Sequence, residues 1–209
     1  MSAREEILGR VRAALADRPI APEPAWAYGE PVSTDGEDVV ERFIERAADY
    51  RATVVRVASD AVGSALSEAL ATVSATTVVA DDLVQNRWGA EVPVSWVVDD
   101  GLGPAALDGI DAVVTTATLA IANTGTIVLD HGPGQGRRAL SLIPDVHVCV
   151  VGAEQIVTDV PEAVGRLVDL GSHTRPLTWI SGPSATSDIE LDRVEGVHGP
   201  RTLYVIVAG

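Results

Sequence analysis

The chain is predicted to fold as an α/β protein, Rossmann-like, with a largely parallel sheet and flanking helices. Three observations carry that prediction. Short runs rich in Val and Ile recur along residues 53–209, separated by stretches of helical or loop character. The runs are continuously apolar rather than alternating, which means burial on both faces and therefore a parallel sheet covered by helices on each side. Apolar residues make up 46% of the 209-residue chain and aromatics only 4%, so the core must be built from Val, Ile, Leu and Ala.

Taken in order, Ile7, Leu8, Val11 and Leu15 recur at helical spacing among Glu5, Glu6, Arg10 and Arg12, which predicts an amphipathic helix over residues 3–16. Pro19, Pro22, Pro24 and Pro31 then impose an extended linker. Residues 1–34 are thus expected to be an N-terminal helix on a Pro-rich linker, and residues 35–209 the α/β domain. Residues 36–50 return to a helical pattern, with Val39, Val40, Phe43, Ile44 and Ala47 on one face. Strands are expected at 53–57, 77–81, 94–100, 111–116, 126–130, 147–152, 177–181 and 203–209. A capped helix is expected over 59–71, with Val62, Leu66, Ala69 and Leu70 inward. Another spans 159–171, with Pro161 near its start and Gly171 past its end.

Composition removes several functions. The formal net charge is −15, and every basic residue is Arg. An acidic surface repels phosphate backbones and anionic lipid, so no nucleic-acid or membrane role is expected. The absence of Lys excludes a Schiff-base lysine and a Walker-type phosphate loop. Cys149 stands alone in the apolar run HVCVVG and behaves as a small hydrophobe; one cysteine holds no iron–sulfur cluster, structural zinc or internal disulfide. The N-terminal residues have no apolar signal core and no apolar run approaches membrane-spanning length, so a cytoplasmic protein is expected.

Open α/β sheets bind ligands beyond the carboxyl ends of their strands. Two glycine-rich corners follow such ends. The first, IANTGTIVLDHGPGQGRRALSLIP (121–144), offers Asn123, Thr124, Gly125 and Thr126 before a strand, then Gly134, Gly136, Arg137 and Arg138 ahead of a short helix. Glycines let backbone approach a ligand, a helix start presents free amides, and Arg pairs with carboxylate or phosphate. The plainer alternative is a strand-to-helix turn with solvated arginines. In the second corner, TWISGPSATSDIE (178–190), Ser187 and Glu190 make a capping box and Asp188 complements the helix dipole. That cap leaves Ser181, Gly182, Ser184 and Thr186 unaccounted for, and they are assigned, with Ser187, to ligand binding. Asp188, Glu190 and His198 are the candidate acid–base residues. No second histidine lies at metal-ligand spacing from His198, so no metal is expected, and no GxSxG elbow supports a Ser–His–Asp triad, whose partners need not be close in sequence. No bound cofactor is expected.

REEILGRVRAAL at the N-terminus, IANTGTIVLD, RRALSLIPDVHVCVV, and above all ISGPSATSDIE followed by GVHGPRTLYVIV resemble the lactate utilization protein C family (LutC/YkgG, the LUD domain) over nearly the whole chain. The resemblance implies a NagB/RpiA/CoA-transferase-like fold. It also implies a part in bacterial oxidation of L-lactate to pyruvate beside two partner proteins that carry iron–sulfur motifs. Where the family's A-[ED]-TGT motif is acidic, this chain has Asn123. A CoA-transferase glutamate attacks the acyl group and an amide does not, so acyl transfer through Asn123 is not expected. The lack of Lys and of a GxGxGxxD pattern argues likewise against a formyltetrahydrofolate cyclo-ligase. The expected function is a cluster-free subunit of an L-lactate-oxidising iron–sulfur complex that binds a small carboxylate or other anion where the two corners meet. The alternatives are a stand-alone enzyme of the CoA-transferase or isomerase type and a non-catalytic scaffold docking the iron–sulfur partners.

Overall fold

The computed structural model describes residues 2–16, 38–186, 194–195 and 199–209, with residues 185–186 and 194–195 described in backbone alone. Residues 1–30 and 31–209 separate into two compact units. In the first, α1 (Ala3–Ala14) starts on a capping box in which the Ser2 hydroxyl accepts from the Glu5 amide and the Glu5 carboxylate from the Ser2 amide. Its apolar stripe, Ile7, Leu8, Val11 and Leu15, is exposed.

The second unit carries α2 (Val39–Asp49), β1 (Thr53–Val57), α3 (Val62–Thr72), β2 (Thr77–Ala80), α4 (Asp82–Trp88), β3 (Ser95–Val97), α5 (Pro104–Asp108) and β4 (Ala112–Thr116). Then follow β5 (Leu119–Ile121), β6 (Thr126–Leu129), β7 (Val146–Gly152), β8 (Ile156–Val157), α6 (Val160–Asp169), β9 (Thr178–Ile180), β10 (Ala185–Thr186), β11 (Val194–Glu195) and β12 (Thr202–Ala208). Six strands form a wholly parallel sheet in the order β1-β12-β7-β4-β2-β3. A second sheet, β8-β5-β6-β9, is mixed, and β10 pairs antiparallel with β11.

The layering follows from which side chains each strand turns each way. On β7, Val148 and Val150 pack with Leu66 and Leu70 of α3 and Val84 of α4, while Cys149 and Val151 pack with Phe43 and Ala47 of α2. Ile127 and Leu129 of β6 join that same α2 core, and Val128 between them joins Ala163 and Leu167 of α6. The order across this second unit is therefore α3 and α4, the parallel sheet, α2 with the mixed sheet, and α6.

Runs 126–130 and 177–181, expected in the parallel sheet, are instead β6 and β9 of the mixed sheet, paired antiparallel. The main sheet covers one face of β6 and α6 the other, so its run is as continuously apolar as a parallel strand. The helix expected over 59–71 starts as a 3-10 turn at Ser59–Ala61 with no side-chain cap. The short helix expected after the glycine loop is a single 3-10 turn, Arg138–Ser141.

Candidate functional site

The glycine loop after β6 is built on a buried carboxylate. Asp130 accepts from the Thr118 hydroxyl and the Gly132 amide at Oδ1, both at 3.0 Å, and from Ser172 Oγ at 2.7 Å and Arg175 Nη1 at 3.0 Å at Oδ2. Burial, the largest single influence on it, pushes its carboxyl up. The bonds from Ser172, Gly132 and Thr118 and the charge of Arg175 outweigh that, and the carboxyl is held below its ordinary value. Gln135, also buried, locks the turn: its Oε1 accepts from the Asp130 and His131 amides and its Nε2 donates to Thr118. His131 sits in the left-handed region at φ 57° with its ring held at both nitrogens, Nδ1 to the Gly136 carbonyl and Nε2 to Thr178.

From this base the loop crosses the carboxyl ends of β2, β3 and β4. Gly134, at φ +82°, donates its amide to Asp81 Oδ1 at 3.0 Å, and its carbonyl accepts from the Thr116 amide; a Cβ there would lie 2.6 Å from Thr116 Oγ1. Its role is close packing on the sheet, and its amide is already bonded. Arg137 turns to Asp99, Nε to Oδ2 at 2.6 Å and Nη2 to Oδ1 at 2.9 Å, and also donates to the Leu102 carbonyl. This bond, first among the causes, holds the Asp99 carboxyl below its ordinary value. Arg138, next along, is exposed and makes no ion pair or side-chain hydrogen bond among the described residues.

These residues wall an open cleft of about 860 Å³ whose lining includes Asp81, His131, Gly136, Arg137, Arg138 and Arg175. Three guanidiniums stand there against the carboxylates of Asp81, Asp99 and Asp130, a formal balance near zero on a chain of net charge −15. Arg138, without an ion pair among the described residues, lines the cleft together with Arg175 and His131, and a guanidinium in that state has the chemistry to pair with a small anion.

The other expected ligand residues lie elsewhere. Asn123 and Thr124 face α2, lining a groove with Arg42, Arg46 and Tyr50. Gly125 (φ +58°) is pressed on that helix: a Cβ would stand 2.6 Å from the Ala47 nitrogen and the Arg46 carbonyl carbon. Thr124, Thr126 and Ser181 form a chain of hydroxyls, with both Oγ–Oγ distances 2.7 Å, so the two corners do meet there. Gly182 (φ +85°) lies against Tyr50, and Ser181, Gly182 and Ser184 open on a separate cleft. Thr186 is described only as backbone of β10, and Ser187, Asp188, Glu190 and His198 lie outside the described residues. The single hollow expected where both corners converge is thus divided. Gly136, Arg137 and Arg138 line the arginine cleft, Gly134 is packed on Thr116, and Arg137 is engaged by Asp99.

The LUD-domain family model matches residues 40–208. The chain belongs to the LUD-domain family. Similar to this LUD-domain chain is the lactate utilization protein C of Deinococcus radiodurans, 42% identical over 215 residues, which span 99% of this chain and 96% of that one. The lactate utilization protein C of a Geobacillus species is 30% identical over 134 residues, 60% of this chain and 55% of that one. A crystal structure of a DUF162 family protein from Deinococcus radiodurans superimposes with a TM-score of 0.70 at 38% identity, covering 86% of this LUD-domain chain and 100% of that chain. Among the described residues no helix is long and apolar enough to cross a membrane, and no group of three or more His, Cys, Asp or Glu is placed to hold a metal ion.

Proposed function

We propose that this LUD-domain protein serves lactate utilization as the cluster-free subunit of an L-lactate-oxidising iron–sulfur complex, with the arginine cleft receiving the small carboxylate. The observation that carries the reading is Arg138, an exposed guanidinium without an ion-pair partner among the described residues, beside Arg175 and His131 at the carboxyl ends of the parallel strands. The name of the full-length Deinococcus relative supports the lactate assignment. The single buried Cys149 supports the division of labour, since burial pushes its thiol up to about 12 and a thiol in that state ligates no cluster. Electron transfer then falls to iron–sulfur partners. In this reading the chain's own residues bind and orient the carboxylate: Arg138 pairs with it, Arg175 stays tied to Asp130, and His131 holds its loop.

Complementation tests this directly. In a Deinococcus radiodurans strain lacking its lactate utilization protein C, this chain is expected to restore growth on L-lactate, and its Arg138→Ala form to restore it poorly despite equal expression. Full restoration by Arg138→Ala would reject the cleft as the seat of that role. The exposed Ile7, Leu8, Val11 and Leu15 stripe of α1 also favours a docking contribution from that helix. Loss of partner co-purification on deleting residues 1–30 checks it.

A further inference from the structure

A crevice of about 360 Å³ opens beyond the carboxyl ends of β4, β7 and β12, neighbouring strands in the middle of the parallel sheet. This is where an open α/β sheet offers room to a ligand. Ser59 and Val62 come to its lining from the start of α3, and Leu83, Arg87 and Trp88 from α4. Pro133 of the glycine loop lines both this crevice and the arginine cleft and stands between them.

Two opposite charges here are uncommitted. The Arg87 guanidinium is stacked over the Trp88 ring, 4.8 Å from its centroid, and makes no ion pair or hydrogen bond among the described residues. Stacking orients the group and leaves the N–H donors along its edge open to a planar, bidentate partner. The Glu154 carboxylate likewise has no ion pair or hydrogen bond among the described residues. It folds back over the end of β7, where a Cβ on Gly152 would run into it. Arg87 and Glu154 line one crevice without pairing with each other. The hydroxyls of Ser59 and Thr116 also make no hydrogen bond among the described residues. Gln155, by contrast, is spent on the Gly152 amide and the Ala117 and Thr118 carbonyls. Apolar side chains make up much of the remaining lining, with Val62 and Val150 buried and Leu83 44% exposed.

We infer that this crevice is a second small-molecule site, which takes a small zwitterion of the amino-acid type with an aliphatic side chain. Arg87 receives its carboxylate and Glu154 its ammonium group, while Leu83 and the two valines take the hydrocarbon part. The Ser59 and Thr116 hydroxyls, able to donate and to accept, serve either charged end. A simple carboxylate, lactate included, satisfies Arg87 and is repelled by Glu154. A simple amine meets the reverse.

L-Leucine, 4-methylpentanoate and isoamylamine share a branched hydrocarbon end and carry both charges, the negative alone and the positive alone. Each is titrated into the full-length protein with the Trp88 indole signal as monitor. Leucine is expected to bind saturably, and the other two roughly tenfold more weakly or worse. Arg87→Gln should weaken leucine roughly tenfold without weakening isoamylamine, and Glu154→Gln should weaken leucine without weakening 4-methylpentanoate. Both side chains are exposed, so both variants keep the fold. Arg138→Ala should bind leucine as the wild type does, which separates this site from the arginine cleft. Leucine without effect on Trp88, either singly charged probe binding as tightly, or loss of leucine binding in Arg138→Ala overturns the inference.

Discussion

The Arg137 guanidinium is held edge to edge against the Asp99 carboxylate, with Nε 2.6 Å from Oδ2 and Nη2 2.9 Å from Oδ1. The pair ties the glycine loop to the segment after β3. Arg137→Ala is therefore expected to act on stability, by about 1 kcal/mol, because the Arg137 side chain is 41% exposed and solvent screens the pair. Arg138→Ala should change stability by less than about 0.5 kcal/mol. Urea unfolding of the two variants at low and high salt checks this, and only the Arg137 effect should shrink with salt.

Asp130 is the keystone of the loop. Asp130→Ala removes four hydrogen bonds and leaves the buried Ser172 hydroxyl, the Thr118 hydroxyl, the Gly132 amide and Arg175 without their carboxylate acceptor, so a loss of about 3 kcal/mol is expected. Thermal unfolding measures it. A shift no larger than that of Arg137→Ala would show that the loop does not depend on this carboxylate.

Gly125 and Gly182 admit the backbone of α2 and its cap. At both positions φ is positive and a Cβ would strike main-chain atoms, the Ala47 nitrogen at 2.6 Å and the Tyr50 carbonyl oxygen at 2.5 Å. Gly125→Ala and Gly182→Ala are each expected to cost about 2–4 kcal/mol. Gly165→Ala, where nothing lies within 4 Å of the new methyl, should be neutral or slightly stabilising in denaturant titrations.

Acid should weaken the fold in two stages. His147 has its pKa pushed from 6.5 down to about 4 by burial, so the unfolded chain binds the extra proton first. Stability from this group is complete above pH ~6.5 and falls by about 3 kcal/mol as pH drops to ~4. Asp111, held at about 2 by the Thr77 and Thr76 amides and hydroxyls, adds a second loss between pH ~4 and ~2. Urea midpoints across pH 8 to 3, with the His147 ring signal as monitor, test the order. A ring that titrates near pH 6.5 in the folded protein would contradict it.

Much of the fold was legible in residue order. The Val and Ile runs at 53–57, 77–81, 111–116, 147–152 and 203–209 are strands of the parallel sheet, because each is covered on both faces. The same signal misplaced β6: Val128 is buried by α6 and Ile127 by the main sheet, and hydropathy does not record which element does the covering. β5 and β8, three and two residues long, are too short for a period to appear.

The site was less legible. Arg137 and Arg138 are adjacent and identical in type, yet one is bonded to Asp99, 38 positions back, and the other faces the cleft. Thr118, Asp130, Gln135, Ser172 and Arg175 form one network from scattered, ordinary residues, and of these only Asp130 carried a hint, as a carboxylate at a strand end. The glycines of TGT and SGP look like ligand-approach positions in sequence, but what approaches them is α2 and Tyr50.

Calorimetric titration of L-lactate and pyruvate into the purified protein bears most directly on the arginine cleft. Saturable binding is expected for the wild type, with Arg138→Ala weakened roughly tenfold by loss of a charge-assisted bond. Absence of wild-type binding, or equal affinity in Arg138→Ala, would contradict a carboxylate seat at this cleft.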